Sequence, residues 1–164
     1  MEIHPAERNK YEINLDYDPA MNSHYQWLVY TYGSRQDNGT GAGIFITKNN
    51  TNKPQYQASI KLADYCSNNQ AELKAVHYAL THITANLEKY KGKIKFFTDS
   101  RATLQTLNKE NNTTILGGET IKAAQNLASK IEVHFSWIPA HKGEHGNEKA
   151  DFLAKKAANS NNNV

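Results

Sequence analysis

The spacing of apolar side chains along the chain changes character several times, and each change marks an element. Residues 1 to about 23 hold few apolar side chains and no period, so they read as an extension or linker with room for a short strand. Tyr25 to Tyr32 is dense in aromatic and β-branched residues and predicts a strand. It runs into Gly33-Ser34 and then the turn-forming Asp37-Asn38-Gly39. Further strands are predicted at Gly43 to Thr47 and Gln55 to Leu62, with a turn at Lys48 to Pro54 between them. Connections this short join antiparallel neighbours, so the three strands form a meander.

The period then becomes helical. Leu73, Val76, Leu80, Ile83 and Leu87 predict a helix of about twenty residues. Ser67 and Gln70 have the spacing of a capping box, which starts that helix near Asn68. Lys93 to Thr98 is a short apolar run, read as a strand that passes at Asp99-Ser100 into a helix ending near Lys109. Gly117-Gly118 opens another helix to Lys130, and Ile131 to Ile138 alternates as a strand. Pro139 to Gly146 is a loop, Glu148 to Ala158 a closing helix, and 159–164 an Asn-rich tail. The order predicts one α/β domain over 24–158, with a five-stranded mixed sheet flanked by helices. Its antiparallel meander is joined by two strands reached through helices, which therefore lie parallel to the first.

Composition narrows the setting rather than the fold. The chain has 164 residues, enough for one real core, and 38% of them are hydrophobic. No stretch approaches the roughly 18 apolar residues that span a bilayer, and Met1 to Ala20 lacks the apolar segment of a secretory signal. Cys66 is the lone cysteine, which suits a reducing compartment, so an intracellular location in cytoplasm or nucleus is expected. The net charge of +3 permits nucleic-acid binding without arguing for it.

Four residues carry candidate chemistry. Glu72 lies in the first turn of the long helix, Asp99 ends a buried strand, His141 sits in a glycine-containing loop, and Asp151 is near the start of the last helix. Singly, each has an ordinary explanation, since helix dipoles favour acids in first turns and an Asp closing a strand caps the next helix. Together they converge where α/β sheets bind ligands, at the carboxyl ends of the strands. Clustered carboxylates repel unless cations fill the cluster, and oxygen ligands suit Mg²⁺ or Mn²⁺.

The segments at 29–34 (Val-Tyr-Thr-Tyr-Gly-Ser), 69–73 (Asn-Gln-Ala-Glu-Leu), 97–100 (Phe-Thr-Asp-Ser) and 137–154, with its Trp-Ile-Pro, His, Gly-Asn and Ala-Asp elements, make the pattern specific. In order and spacing they resemble the four signature segments of type 1 ribonuclease H, most closely the ribonuclease H domains of retrotransposon polyproteins. The resemblance covers residues 25 to 158 and implies a ribonuclease H-like fold. It further implies metal-dependent endonucleolytic hydrolysis of the RNA strand of RNA–DNA hybrids by a two-metal site. By the same resemblance Glu72, Asp99 and Asp151 are metal ligands, and His141 handles water or product. Gly33, Ser34, Asn69 and Gln70 contact nucleic acid, with Asn69 and Gln70 at positions that read the 2′-hydroxyl. Asn69 and Gln70 serve equally well as helix-start residues. An attached reverse transcriptase is the partner implied.

The first segment departs from the family. Where the family has the Asp that bridges both metals, this chain has Tyr32, and the nearest acid, Asp37, lies five residues on in a turn. Two dications ~4 Å apart repel by roughly 17 kcal/mol at an effective dielectric of about 20. Without the shared anion, double occupancy is expected to be poor and cleavage impaired. No basic helix is inserted before Gly117. Lys91, Lys93, Lys95, Lys142, Lys149, Lys155 and Lys156 remain, but they are scattered in the manner of a solvated face, so only modest affinity for hybrid is expected. Three readings follow: a ribonuclease H crippled at one ligand, a non-catalytic hybrid-binding module, and a structural α/β domain, the last disfavoured by the 137–154 segment.

Overall fold

The computed structural model describes residues 11–17, 22, 24–49, 51, 53–109, 114–140 and 145–160. Its elements are β1 (Glu12–Asn14), β2 (Trp27–Gln36), β3 (Gly39–Lys48), β4 (Pro54–Leu62), α1 (Asn68–Ala85), β5 (Ile94–Thr98), α2 (Arg101–Leu107), α3 (Ile115–Ala128), β6 (Val133–Trp137) and α4 (His145–Ala158). One sheet runs β1-β6-β5-β2-β3-β4. The β2–β3–β4 meander is antiparallel, and β5 and β6 run parallel to β2, as the connection lengths require.

The sheet has six strands rather than the five expected. The sixth is β1, from the stretch read as an extension, pairing parallel with β6 from Glu12↔His134 to Asn14↔Ser136. Three residues are too short to show a period, which is why pattern alone did not place it in the sheet.

β2 and β3 are also longer than expected. Gly33-Ser34 does not end β2, and β3 starts at Gly39 rather than Gly43. These glycines look like turn signals, yet only Gly39, with φ of +143°, sits beside a turn. The others are interior strand glycines where another backbone comes close. A Cβ on Gly33 would lie 2.2 Å from the Glu72 amide nitrogen of α1, and one on Gly41 or Gly43 would lie 2.3 or 2.1 Å from α4 carbonyl oxygens. The two helices therefore lie on opposite faces of the sheet, each backbone to backbone.

Alternation along the strands sorts the core accordingly. Val29, Ile44, Ile46, Phe96 and Phe135 face α1 and α3, where they meet Val76, Leu80, Ile83 and Leu127. Leu28, Tyr30, Phe45 and Phe97 face α4 and meet Ala150 and Leu153. Ser67 caps α1 in a complete capping box with Gln70, as its spacing predicts. Two helices start earlier than expected. α3 begins at Ile115 behind the N-cap Thr114, so Gly117 lies within its first turn. α4 begins at His145, three residues before Glu148. The early start of α4 puts Asp151 in its second turn, and Glu72, five residues into an α1 that starts at Asn68 as expected, is also in a second turn rather than a first. Among the described residues no helix is long and apolar enough to cross a membrane.

Candidate active site

Glu72, Asp99 and Asp151 come from three elements that end at one edge of the sheet. Because Gly33 has no side chain, α1 settles on β2, and Glu72 is left only 6% exposed. Its carboxyl group accepts a hydrogen bond from the Gly33 N–H and a long one, 3.5 Å, from the Thr98 hydroxyl. Asp99 follows β5 directly and hydrogen-bonds to Glu72 side chain to side chain. Burial, and then the charge of Asp99, push the Glu72 carboxyl well above the ordinary range against the opposing Gly33 and Thr98 bonds. A hydrogen bond between two carboxyl groups needs a proton on one of them, and burial favours keeping it on Glu72.

Tyr32 projects from the α4 face of β2 into this group. Its hydroxyl donates a hydrogen bond to the Asp99 carboxylate. Burial raises its pKa most, followed by the charges of Asp99, Asp151 and Glu72, so the phenol stays protonated among three acids. Asp151 is one of few groups with a cationic neighbour here: its Oδ2 is 3.1 Å from Lys155 Nζ, one turn along α4. Its Oδ1 is buried and, among the described residues, has no hydrogen-bond partner, and the same holds for Oδ1 of Asn147 one turn earlier.

The other sequence candidates take different places. Gly33 is buried beneath α1 and serves the Glu72 seat. Ser34 is 6% exposed and accepts a hydrogen bond from the Gln36 amide at 2.7 Å. The Gln70 side-chain carbonyl accepts from the Ser67 N–H at 2.8 Å, so its helix-start role is realised while its NH₂ stays available. Asn69 and Gln70 are exposed and line a cavity of about 230 Å³ with Leu73, Thr103, Thr106 and Leu116. His141 lies outside the described residues, as does Lys142. Lys95, expected on a solvated face, is 3% exposed, with its ammonium 5.1 and 5.2 Å from the ring centres of Tyr25 and Phe97.

Sequence reasoning missed three contributors. Trp137 donates its indole N–H to the Asp99 carbonyl at 3.2 Å, which fixes the chain where it leaves β5. Arg101 lies over the Trp137 ring, 4.1 Å from its centre. Lys155 neutralises Asp151, and the i,i+4 spacing of opposite charges could have signalled it.

The arrangement does not fit a pair of metal ions. Among the described residues no group of three His, Cys, Asp or Glu side chains is arranged to hold one. The phenol of Tyr32 hydrogen-bonds to Asp99, Glu72 and Asp99 bond to each other, and Lys155 holds one oxygen of Asp151. The one observation favouring a cation is the orphaned Oδ1 of Asp151.

Residues 24–159 match the family model for RNase H, and the chain belongs to the ribonuclease H family. It is similar to the Gag-Pol polyprotein of bovine immunodeficiency virus, 31% identical over 128 residues that cover 78% of this chain and 8% of the polyprotein. It is also similar to the ribonuclease H of Saccharomyces cerevisiae, 29% identical over 184 residues, 92% of this chain and 49% of that protein. The chain thus spans half or less of the length of these relatives. Among solved structures, RNase H1 from Halobacterium salinarum shares the fold with a TM-score of 0.63 at 20% identity, covering 80% of this chain and 96% of that one.

Proposed function

We propose that this chain is a ribonuclease H domain that binds RNA–DNA hybrids across the carboxyl ends of β2 and β5, and that its cleavage of the RNA strand is impaired by Tyr32. The observation that carries the reading is the Tyr32 hydroxyl hydrogen-bonded to Asp99 amid three acids, where the family places a metal-bridging Asp. Ribonucleases H generally depend on divalent metal. Here the donor set would take at most one Mg²⁺ or Mn²⁺, weakly, against the Asp151 oxygen that lacks a partner. The viral polyprotein relatives support a retroelement origin and an attached reverse transcriptase as the structural partner. The lone, buried Cys66 supports an intracellular setting.

A second reading is a non-catalytic hybrid-binding module. It is favoured by the internal pairing of the acids, with Tyr32 on Asp99 and Lys155 on Asp151.

Hydrolysis of labelled hybrid in Mg²⁺ and in Mn²⁺, by the chain and by its Tyr32→Asp variant, separates the two. Restoring the shared anion is expected to raise cleavage by about a thousandfold or more, a barrier change of about 4 kcal/mol. Folded Tyr32→Asp protein that cuts no better than the original would hand the lead to the binding module.

A further inference from the structure

Arg101 opens α2, two residues after Asp99, and is exposed. Its guanidinium carbon lies 4.1 Å from the centre of the Trp137 ring, and the Trp137 indole N–H is bonded to the Asp99 carbonyl. Trp137 in turn sits opposite Thr98 in the β5–β6 register, so cation, ring and acid form one unit at the sheet's edge. Among the described residues Arg101 makes no ion pair, unlike Lys93, which pairs with Glu132. We infer that the Arg101 guanidinium, held over the Trp137 ring, is the phosphate contact that seats a nucleic-acid backbone beside the acidic group.

The inference rests on the proposed hybrid-binding reading and deepens it. A strand lying over Glu72, Asp99 and Asp151 brings its phosphates towards the negative charge of Asp99 and Asp151, and Lys155 offsets only the latter. A fixed cation beside Asp99 answers that repulsion. A cation–ring contact uses none of the guanidinium N–H donors, which remain for the fork that matches two phosphate oxygens. A guanidinium already fixed on a ring loses little conformational freedom when it binds, so the contact is stronger than that of a loose lysine. It also identifies a specific grip in a chain with no inserted basic helix.

The test is hybrid binding by the whole chain, followed by fluorescence anisotropy across a salt series in EDTA so that cleavage does not intervene. Arg101→Gln should lower the slope of log affinity against log salt by about 0.9, one phosphate contact, and weaken binding about eightfold near 0.1 M salt. Arg101→Lys should keep the slope yet bind a few-fold more weakly, because charge survives and the fork does not. It also keeps the test decisive should the Gln variant unfold. Lys130→Gln, exposed just before β6 at the end of the sheet away from Asp99, should change neither slope nor affinity. An unchanged slope in Arg101→Gln, or an equal loss in Lys130→Gln, overturns the inference while hybrid binding stands. Failure of the unmodified chain to bind hybrid overturns both the functional reading and this one.

Discussion

α1 and α4 each deliver a carboxylate to the same place, but they are seated on the sheet in different ways. α1 touches strand backbone at one glycine, Gly33, and near Glu72 is otherwise held by its capping box, by the bond between the Gly33 N–H and Glu72, and further along by Val76, Leu80 and Ile83 in the core. α4 rests on a row of glycines along β3. Cβ atoms on Gly39, Gly41 and Gly43 would all come within 3 Å of its backbone carbonyls. Its far end is tied down by Lys61, whose ammonium donates to the carbonyls of Ala158 at 2.8 Å and Ser160 at 3.3 Å, where a helix C-terminus favours a cation. Glu72 is thus located by hydrogen bonds, which tolerate adjustment. Asp151 is located by steric fit of backbone on backbone, which does not.

Breaking the α4 seat should have the largest effect. In Gly43→Ala the new methyl meets the Ala150 carbonyl at 2.1 Å and the Ala154 amide nitrogen at 2.6 Å, neither of which can turn aside. A loss of about 3 kcal/mol is expected, at the upper end for overpacking. At about 2–4 °C per kcal/mol, the melting temperature should fall by roughly 10 °C. A melt within a degree or two of the original would show that α4 slides freely over β3.

Gly33→Ala tests the α1 seat, where the methyl meets the Glu72 nitrogen at 2.2 Å. The first turns of α1 can tilt outward, so about 2 kcal/mol is expected, less than at Gly43. If Gly33→Ala costs more than Gly43→Ala by thermal or urea unfolding, the contrast between the seats is reversed. Ser67→Ala, which removes the cap without touching the sheet, should cost about 1 kcal/mol.

The smallest signal is a slope rather than a step. The Glu72 carboxyl holds its proton to higher pH in the folded chain than in the unfolded one, so the folded state binds more protons once pH passes the ordinary carboxylate value of about 4.3. Stability should therefore decline as pH rises from there through the folded value of Glu72 and level off above it. Melting temperatures of the chain and of Glu72→Gln over that window check this. The Gln variant should be flatter, whereas an equal decline in both would assign the proton to another group.

These seats mark the boundary between what could and could not be read from sequence. The start of α1 was readable because Ser67 and Gln70 act through three residues of local chain, and the sharp motif around Asp151 exposed the substitution at Tyr32. The glycines of β2 and β3 misled because a glycine's local signal is the same whether it turns the chain or admits a helix. Only the tertiary partner decides between those roles. Trp137, Arg101 and the buried Lys95 were invisible for a related reason, since their partners lie 38, 36 and 70 positions away for Asp99, Trp137 and Tyr25. The second-turn positions of Glu72 and Asp151 follow from helix starts at Asn68 and His145, and the latter precedes the apolar period that predicts Glu148.

β1 has a consequence for where this protein can be cut. Tyr11, beside it, is buried in the main core, its ring edge-on to Phe135 at 5.2 Å and its hydroxyl bonded to the Leu107 carbonyl at 2.6 Å. All of this precedes residue 24, where the recognisable family segment begins. Kinship and cooperative folding therefore draw different limits on the same polypeptide. A fragment trimmed to the familiar segment would open a void the size of a tyrosine ring beneath α2 and bare the edge of β6. An unpaired edge of that kind invites the matching strand of a second molecule, so the shortened chain would be prone to self-association rather than simply less stable.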